Sequence, residues 1–350
     1  RVLFRPAIAA GHLPVGDGLS LLRSVRQQRR SPLLPFILLS ARNDSASVRE
    51  ALPLAPTAYL TKPLNMEGLT QRLQDLLLNE GETVYCEVPA LAPGMTLPVF
   101  LERRREASDG APLRVDVQAA VQHSLEPEGL DLKRLEEQVR IDPQITAVLI
   151  AAANSAGHHG SPVQTLSMAL HKLAAGQSMN LMLGLALKHN VVLSDPSLVD
   201  YAERHWQLSQ RTADYARSLA RMLDLDHERC YSAGILHRLG DLALLRCLQD
   251  WLQGGGELDD EVIGESLYTF GAAYGSALRT RWRLPLELRQ LIAAIYSLEG
   301  GVYSREALVV NLAAQLARLT EHEGVEALAK GKTARLLKVG LPELARMRKT

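Results

Sequence analysis

The most chemically suggestive stretch of this chain is Gly234-Ile235-Leu236-His237-Arg238-Leu239-Gly240-Asp241. An imidazole at His237 could ligate a metal or act as a general base. A divalent metal needs several such donors, and the next residue, Arg238, is a permanent cation that repels one. A lone histidine beside an arginine is more often a hydrogen-bonded core residue. Arg238 and Asp241, at i, i+3, form an ion pair along one helix face. Arginine also suits phosphate, so Arg238 could contact a phosphate-bearing ligand. His158-His159 lies in a glycine-flanked loop without a nearby carboxylate, and residues at i, i+1 point apart. Arg103-Arg104-Arg105 and Arg29-Arg30 read as solvated helix surface. The three cysteines, Cys86, Cys230 and Cys247, form no CxxC pair, which fits a reducing compartment better than a disulfide framework.

The elements that must position these groups are mostly helices. Asp142-Pro143 is an N-cap followed by proline at the first helical position. Ile145, Val148, Leu149 and Ala152 then make a buried stripe, and Asn154 and Ser155 hydrogen-bond backbone at its end. Gly157 and Gly160 break the chain, and Ser161-Pro162 starts a second helix carrying Val163, Leu166, Leu170 and Leu173. Asp195-Pro196 begins a third, with Val199, Ala202 and Trp206 on one face. From Val117 to about Leu319 the chain reads as consecutive amphipathic helices, an all-α bundle.

The first eighty residues alternate differently. Phe36-Ile37-Leu38-Leu39 and Ala58-Tyr59-Leu60 suit buried parallel strands, with a short helix from Ser45 to Leu52 between them. Leu64, Leu69, Leu73 and Leu76 follow at helical spacing, with Asn65 as the N-cap. Between the halves, Pro89, Pro93 and Pro98 punctuate a connector in which Leu97 to Glu106 adds a helical turn. Lys+Arg and Asp+Glu balance at 39 each, which gives no electrostatic footprint for nucleic acid or an anionic membrane. The longest apolar runs fall short of the ~20 residues a membrane span needs. No signal peptide is visible, although the chain begins at Arg1.

The order Asp-Pro, helix, Asn-Ser-Ala, helix resembles the HDOD domain, a bacterial signalling relative of the HD metal-dependent phosphohydrolases. Gly234 to Asp241 resembles that superfamily's "GLLHDIGK" segment, with Arg238 at the metal-binding aspartate and Asp241 at the lysine. Ser209-Gln210-Arg211-Thr212 resembles the "HSxRV" helix and puts Leu208 at a histidine position. Gly275-Ser276-Ala277-Leu278 and Trp282-Arg283-Leu284-Pro285 resemble "VGAxLLxxWxLP", a register that puts Gly271 at another histidine position and Ile295-Tyr296 at a His-His pair. The resemblance implies a vestigial cleft around His237, Arg238 and Arg211, with no metal and no catalysis.

Residues 1–80 resemble the C-terminal two-thirds of a response-regulator receiver domain. Leu13-Pro14 with Asp17-Gly18-Leu19 resembles its turn and helix. Leu39-Ser40-Ala41-Arg42 resembles its switch strand, with Ser40 at the hydroxyl. Tyr59-Leu60-Thr61-Lys62-Pro63 resembles the strand bearing its lysine. The phosphoacceptor position falls on Ala10, whose methyl can neither attack a phosphoryl donor nor bind Mg²⁺. Few residues precede Ala10, so the receiver is expected to be degenerate, short at its start, and used for docking or dimerisation. Phosphorylation at Asp17 is a minor alternative.

The expectation is therefore a multidomain chain. Residues 1–80 form an α/β receiver-like, flavodoxin-like unit with a parallel sheet, and 81–115 a connector. Residues 116–330 form an all-α HDOD domain and 331–350 a helical tail. The expected function is non-catalytic bacterial signalling, as in two-component systems, in the cytoplasm. Its partner would be a kinase, cyclase or regulator, with homodimerisation as an option. No cofactor, nucleic acid or membrane is expected. Binding of a nucleotide or cyclic dinucleotide in the cleft is the alternative, and an HD metal phosphohydrolase the least favoured reading.

Overall fold

The computed structural model describes residues 7–10, 21–24, 36–40, 58–61 and 91–348, less 109, 127–128, 156–160, 187–191, 299–301 and 321. The chain divides into two compact units, Arg1–Cys86 and Glu87–Thr350.

In the first unit, β1 (Ala7–Ala10), β2 (Phe36–Ser40) and β3 (Ala58–Thr61) pair in parallel in that order. Parallel neighbours need long crossovers, which segments 11–35 and 41–57 are long enough to provide. A helical turn at 21–24 buries Leu22 completely. The register pairs Ala10 with Leu39 and Ser40 with Thr61, so Ala10 and Ser40 end their strands at the same edge of the sheet. Lys62 directly follows β3 and lies outside the described residues, as do Asp17, the helices expected at 45–52 and 64–76, His158, His159 and Cys86.

Among its described residues the second unit is helical except for a hairpin of two-residue strands, β4 (Leu125–Glu126) and β5 (Gly129–Leu130). Its helices are α1 (Leu97–Ala107), α2 (Val117–His123), α3 (Leu132–Val139), α4 (Pro143–Ser155), α5 (Leu166–Ala186) and α6 (Pro196–Met222). They continue with α7 (His227–Leu236), α8 (Leu239–Gln253), α9 (Asp260–Arg281), α10 (Leu286–Tyr296) and α11 (Arg305–Arg318). Three short helices close the chain: α12 (Glu326–Lys330), α13 (Lys332–Leu337) and α14 (Leu341–Arg348). Among the described residues, no helix is long and apolar enough to cross a membrane.

From Glu87 onward, the segment expected to be a connector belongs to this unit. Leu101 is fully buried, its carbonyl accepts from the Tyr274 hydroxyl at 2.7 Å, and Phe100 packs on Trp251 with centroids 5.4 Å apart. Arg104 pairs with the buried carboxylate of Asp250. Pro98 sits in the first turn of this packed helix and Pro93 in the turn before it.

Helix α8 forms the centre, with every residue from Leu239 to Trp251 buried, including Asp241, Arg246 and Asp250. A helix buried all round must lie inside a bundle. Helix α6 is amphipathic: Leu198, Ala202, Trp206, Ser209, Ala213, Ala216 and Ala220 face inward at helical spacing. Val199, expected on that face, is exposed, because the stripe starts one residue earlier at Leu198. Helix α5 is broken at Ala174, whose φ of 58° is non-helical.

Candidate functional site

The Asp142–Val163 hairpin carries the densest set of local polar bonds. The Asp142 carboxylate is wholly buried and accepts from Arg114 N at 2.7 Å, Val115 N at 3.0 Å and Ile145 N at 3.0 Å. Burial raises its pKa, while the backbone N–H groups oppose that shift. Asn154 donates to the carbonyls of Ile150 at 2.9 Å and Val163 at 2.8 Å, and accepts from Val163 N at 2.9 Å. Ser155 Oγ donates to Ala151 O at 3.0 Å. These side chains tie backbone together, as their types and positions predict.

Beside the hairpin lies a cavity of about 500 Å³. Val148, Ala151, Ala152 and Ser155 line it from α4, Leu185 from α5, Arg281 from the end of α9, and Trp282 and Arg283 from the turn after it. Val148 and Ala152, expected within the buried stripe, are half-exposed because they face this opening. The cavity therefore joins two signature segments more than a hundred residues apart in sequence. Arg281 is not available to a ligand there, since its guanidinium donates to the carbonyls of Glu106 and Ser108.

The second candidate region surrounds His237, which ends α7, and Arg238, which begins α8 without a side-chain cap. His237 is 1% exposed, and its Nδ1 meets the Gly234 carbonyl at 2.7 Å, so Nδ1 carries the proton. Its Nε2 is buried with no hydrogen-bond partner. Burial drives the His237 pKa down to about 3. Arg238 Nη1 lies 3.3 Å from Asp241 Oδ2, the ion pair expected at i, i+3. Tyr296, at the end of α10, donates from its hydroxyl to the His237 carbonyl at 2.5 Å, and Arg238 sits 5.7 Å above its ring.

Sequence reasoning missed several members of this region. His205 on α6 lies within the electrostatic reach of Asp241, Arg238 and His237, and burial lowers its pKa to about 4. Arg279 from α9 and Arg318 from α11 act on the Tyr296 hydroxyl, along with Asp241 and Arg238. Arg211, expected beside His237 and Arg238, donates to the carbonyl of Leu319, the residue after Arg318, at 3.2 Å. Gly271, at an expected histidine position, faces Asp241: a Cβ there would lie 2.3 Å from Asp241 Oδ1. The Asp241 carboxylate fills the space that a side chain at position 271 would take.

A metal centre does not fit these residues. Among the described residues, no group of three His, Cys, Asp or Glu side chains could hold a metal ion. The charges gathered around Tyr296 are mainly guanidinium, which repels cations.

Comparison with known proteins places the helical unit. Residues 111–298 match the HDOD domain, more than half of the chain, and the chain belongs to that family. The N-terminal region matches response-regulator receiver proteins. The chain is 36% identical over 62 residues to the transcriptional regulatory protein KdpE of Staphylococcus aureus (strain NCTC 8325 / PS 47), covering 18% of this chain and 26% of that protein. It is 29% identical over 66 residues to a chemotaxis protein CheY homolog of Campylobacter jejuni, covering 19% of this chain and 51% of that one. The chain thus spans between about a quarter and about half the length of these curated relatives. The structure is similar to the MmoQ response regulator from Methylococcus capsulatus str. Bath, with a TM-score of 0.54 and 21% identity, over 69% of this chain and 98% of that one. At that identity the likeness shows a shared fold alone.

Proposed function

We propose that this chain is a non-catalytic signal-transduction protein of the cytoplasm, in which a receiver-like unit regulates or docks an HDOD domain that binds a protein partner. The observation that carries this reading is the identity of the side chains at His237 and its neighbours. An HD enzyme needs clustered ligands to hold a metal and make a hydroxide nucleophile. Here Arg238, Gly271 and Tyr296 stand at positions where the resemblance expects ligands, and the remaining His237 is sealed and neutral. Binding is supported by the cavity that α4 shares with Trp282, which offers apolar walls with the exposed Arg283 beside them.

The sheet supports the first half of the reading. Ala10 and Ser40 share one edge, with Lys62 next after β3, which matches a receiver's acid, hydroxyl and lysine with the acid deleted. On this reading the unit is α/β and flavodoxin-like, and it signals by docking rather than by aspartyl phosphorylation. A kinase, cyclase or transcriptional regulator is the expected class of partner.

The test has two arms on the full chain. Incubated with Mn²⁺ or Mg²⁺ and a generic phosphodiester, the protein is expected to release no product above the blank. Reproducible turnover that follows metal content would overturn the reading. Used as bait, it is expected to retain a signalling protein that Trp282→Ala releases. Equal retention by the variant would remove the cavity from the reading.

A further inference from the structure

Arg238, Arg279 and Arg318, from three separate helices, lie within electrostatic reach of Tyr296, against one carboxylate among the described residues, Asp241. Arg238 begins α8, Arg279 and Arg318 lie in the last turns of α9 and α11, and Arg289 lies on α10 near Arg279. Asp241 is the one carboxylate that acts on the Tyr296 hydroxyl, and it is paired with Arg238. Among the described residues, Arg279, Arg289 and Arg318 make no ion pair. The Nε atoms of Arg238 and Arg289 are buried without a partner. Gly275 keeps room for one of these groups, since a Cβ there would lie 2.7 Å from Arg279 Nη1.

Half-buried guanidinium groups such as those of Arg279 and Arg289 are costly where no counter-charge sits beside them, because each loses hydration without a compensating partner. The places of Arg279 and Arg318 at the C-terminal ends of α9 and α11 recover part of that cost through the helix dipole. That recovery is incomplete: burial lowers the pKa values of both Arg279 and Arg318, and neighbouring arginines lower them further. An anion seated among them would supply the missing charge.

We propose that this cleft is a binding site for a phosphate-bearing small anion, clamped by Arg238, Arg279 and Arg318 against the half-exposed ring of Tyr296. A guanidinium offers paired N–H donors that match phosphate oxygens, and it is charged at every physiological pH. The N-terminal N–H groups of α8, which lack intrahelical partners, add positive potential beside Arg238. Fixed cations take the part a bound metal would play, so no metal is needed first. Two sources share this chemistry: free inorganic phosphate or pyrophosphate, and the phosphates of a nucleotide. The site does not depend on the partner-binding reading.

The experiment is isothermal titration of the full chain, at low ionic strength with EDTA, using pyrophosphate, a nucleoside triphosphate and a cyclic dinucleotide separately. Saturable binding by at least one of them is expected despite the chelator. Arg318→Gln, at an exposed position, and Arg279→Gln should each weaken it about tenfold, the effect of losing one charge-assisted bond. Pyrophosphate binding as tightly as the nucleotides would identify the phosphate alone as the ligand. A nucleotide binding at least about tenfold more tightly would assign it the site. The proposal is overturned if no titrant binds at millimolar concentration, or if Arg318→Gln and Arg279→Gln bind as the parent does. A blank titration leaves partner capture unaffected, so the two readings fail separately.

Discussion

The hairpin around Asp142 and the cleft around Tyr296 treat polar groups in opposite ways. In the hairpin every named polar group finds its complement: Asp142 takes three backbone N–H groups, and Asn154 makes three bonds to backbone. In the cleft, His237 Nε2 and Arg238 Nε are buried without partners, and Arg279 and Arg318 have no ion pair among the described residues. Buried polar groups that serve folding are normally satisfied, because an orphan costs about 1–3 kcal/mol. Orphaned hydroxyls also occur elsewhere, at Thr146 in the hairpin's first helix and at Ser209 and Thr212 on α6, so what sets the cleft apart is that charged groups from several helices gather there without counter-charges among the described residues.

The contrast predicts the size and sign of substitutions. The largest effect belongs to Asp142→Ala, which strands three N–H groups inside the fold. A loss of about 3 kcal/mol is expected, read as a lower denaturation midpoint at unchanged slope. A loss below about 1 kcal/mol would mean that water reaches those groups, and the contrast with the cleft would collapse.

Acid should expose the cleft's own weakness. His205 and His237 are held neutral, with pKa values near 4 and 3, whereas an unfolded histidine titrates near 6.5. Below about pH 6.5 the unfolded chain takes up protons that the folded chain refuses, so stability is full above that value and falls as pH drops toward 4. Asp142 works the other way, because its raised pKa lets the folded state bind a proton first. Melting temperature across this window should decline, and His205→Leu should flatten the decline. A parent curve with no slope between pH 6.5 and 4.5 would show that neither imidazole is sealed.

Next in size is Asn154→Ala. It removes three hydrogen bonds at a half-buried position and leaves the Val163 amide and carbonyl unpaired by side chain. The expected cost is about 2 kcal/mol. Asn154→Asp, which keeps the acceptor and loses both donated bonds, should fall between the two.

The same contrast explains what could be read from the sequence. Capping is local, so Asp142-Pro143 and Asp195-Pro196 announced their helices, and the Asp195 carboxylate does accept from Leu198 N at 3.0 Å. The Arg238–Asp241 pair was legible for the same reason, being three residues apart on one helix. The cleft was not, because His205, Arg279, Tyr296 and Arg318 come from four helices and meet only once the bundle closes. Long-range packing was equally illegible at α1: a helical turn was expected over Leu97 to Glu106, but not that its Leu101 carbonyl is held by Tyr274, 173 residues away.

The smallest expected effect is the most discriminating, because its sign separates the two regions. Arg279→Gln removes a guanidinium that no carboxylate pairs among the described residues and that Arg289 repels. If the residue serves the fold, its loss should destabilise, as removal of Asp142 does. If it serves an absent anion, the unliganded protein should lose nothing, or gain up to about 1 kcal/mol, because an uncompensated charge leaves a half-buried place. Added phosphate sharpens the comparison: it should raise the melting temperature of the parent by mass action and leave that of Arg279→Gln nearly unchanged. A destabilised variant that phosphate still protects would return Arg279 to the fold, and the cleft would then obey the same rule as the hairpin.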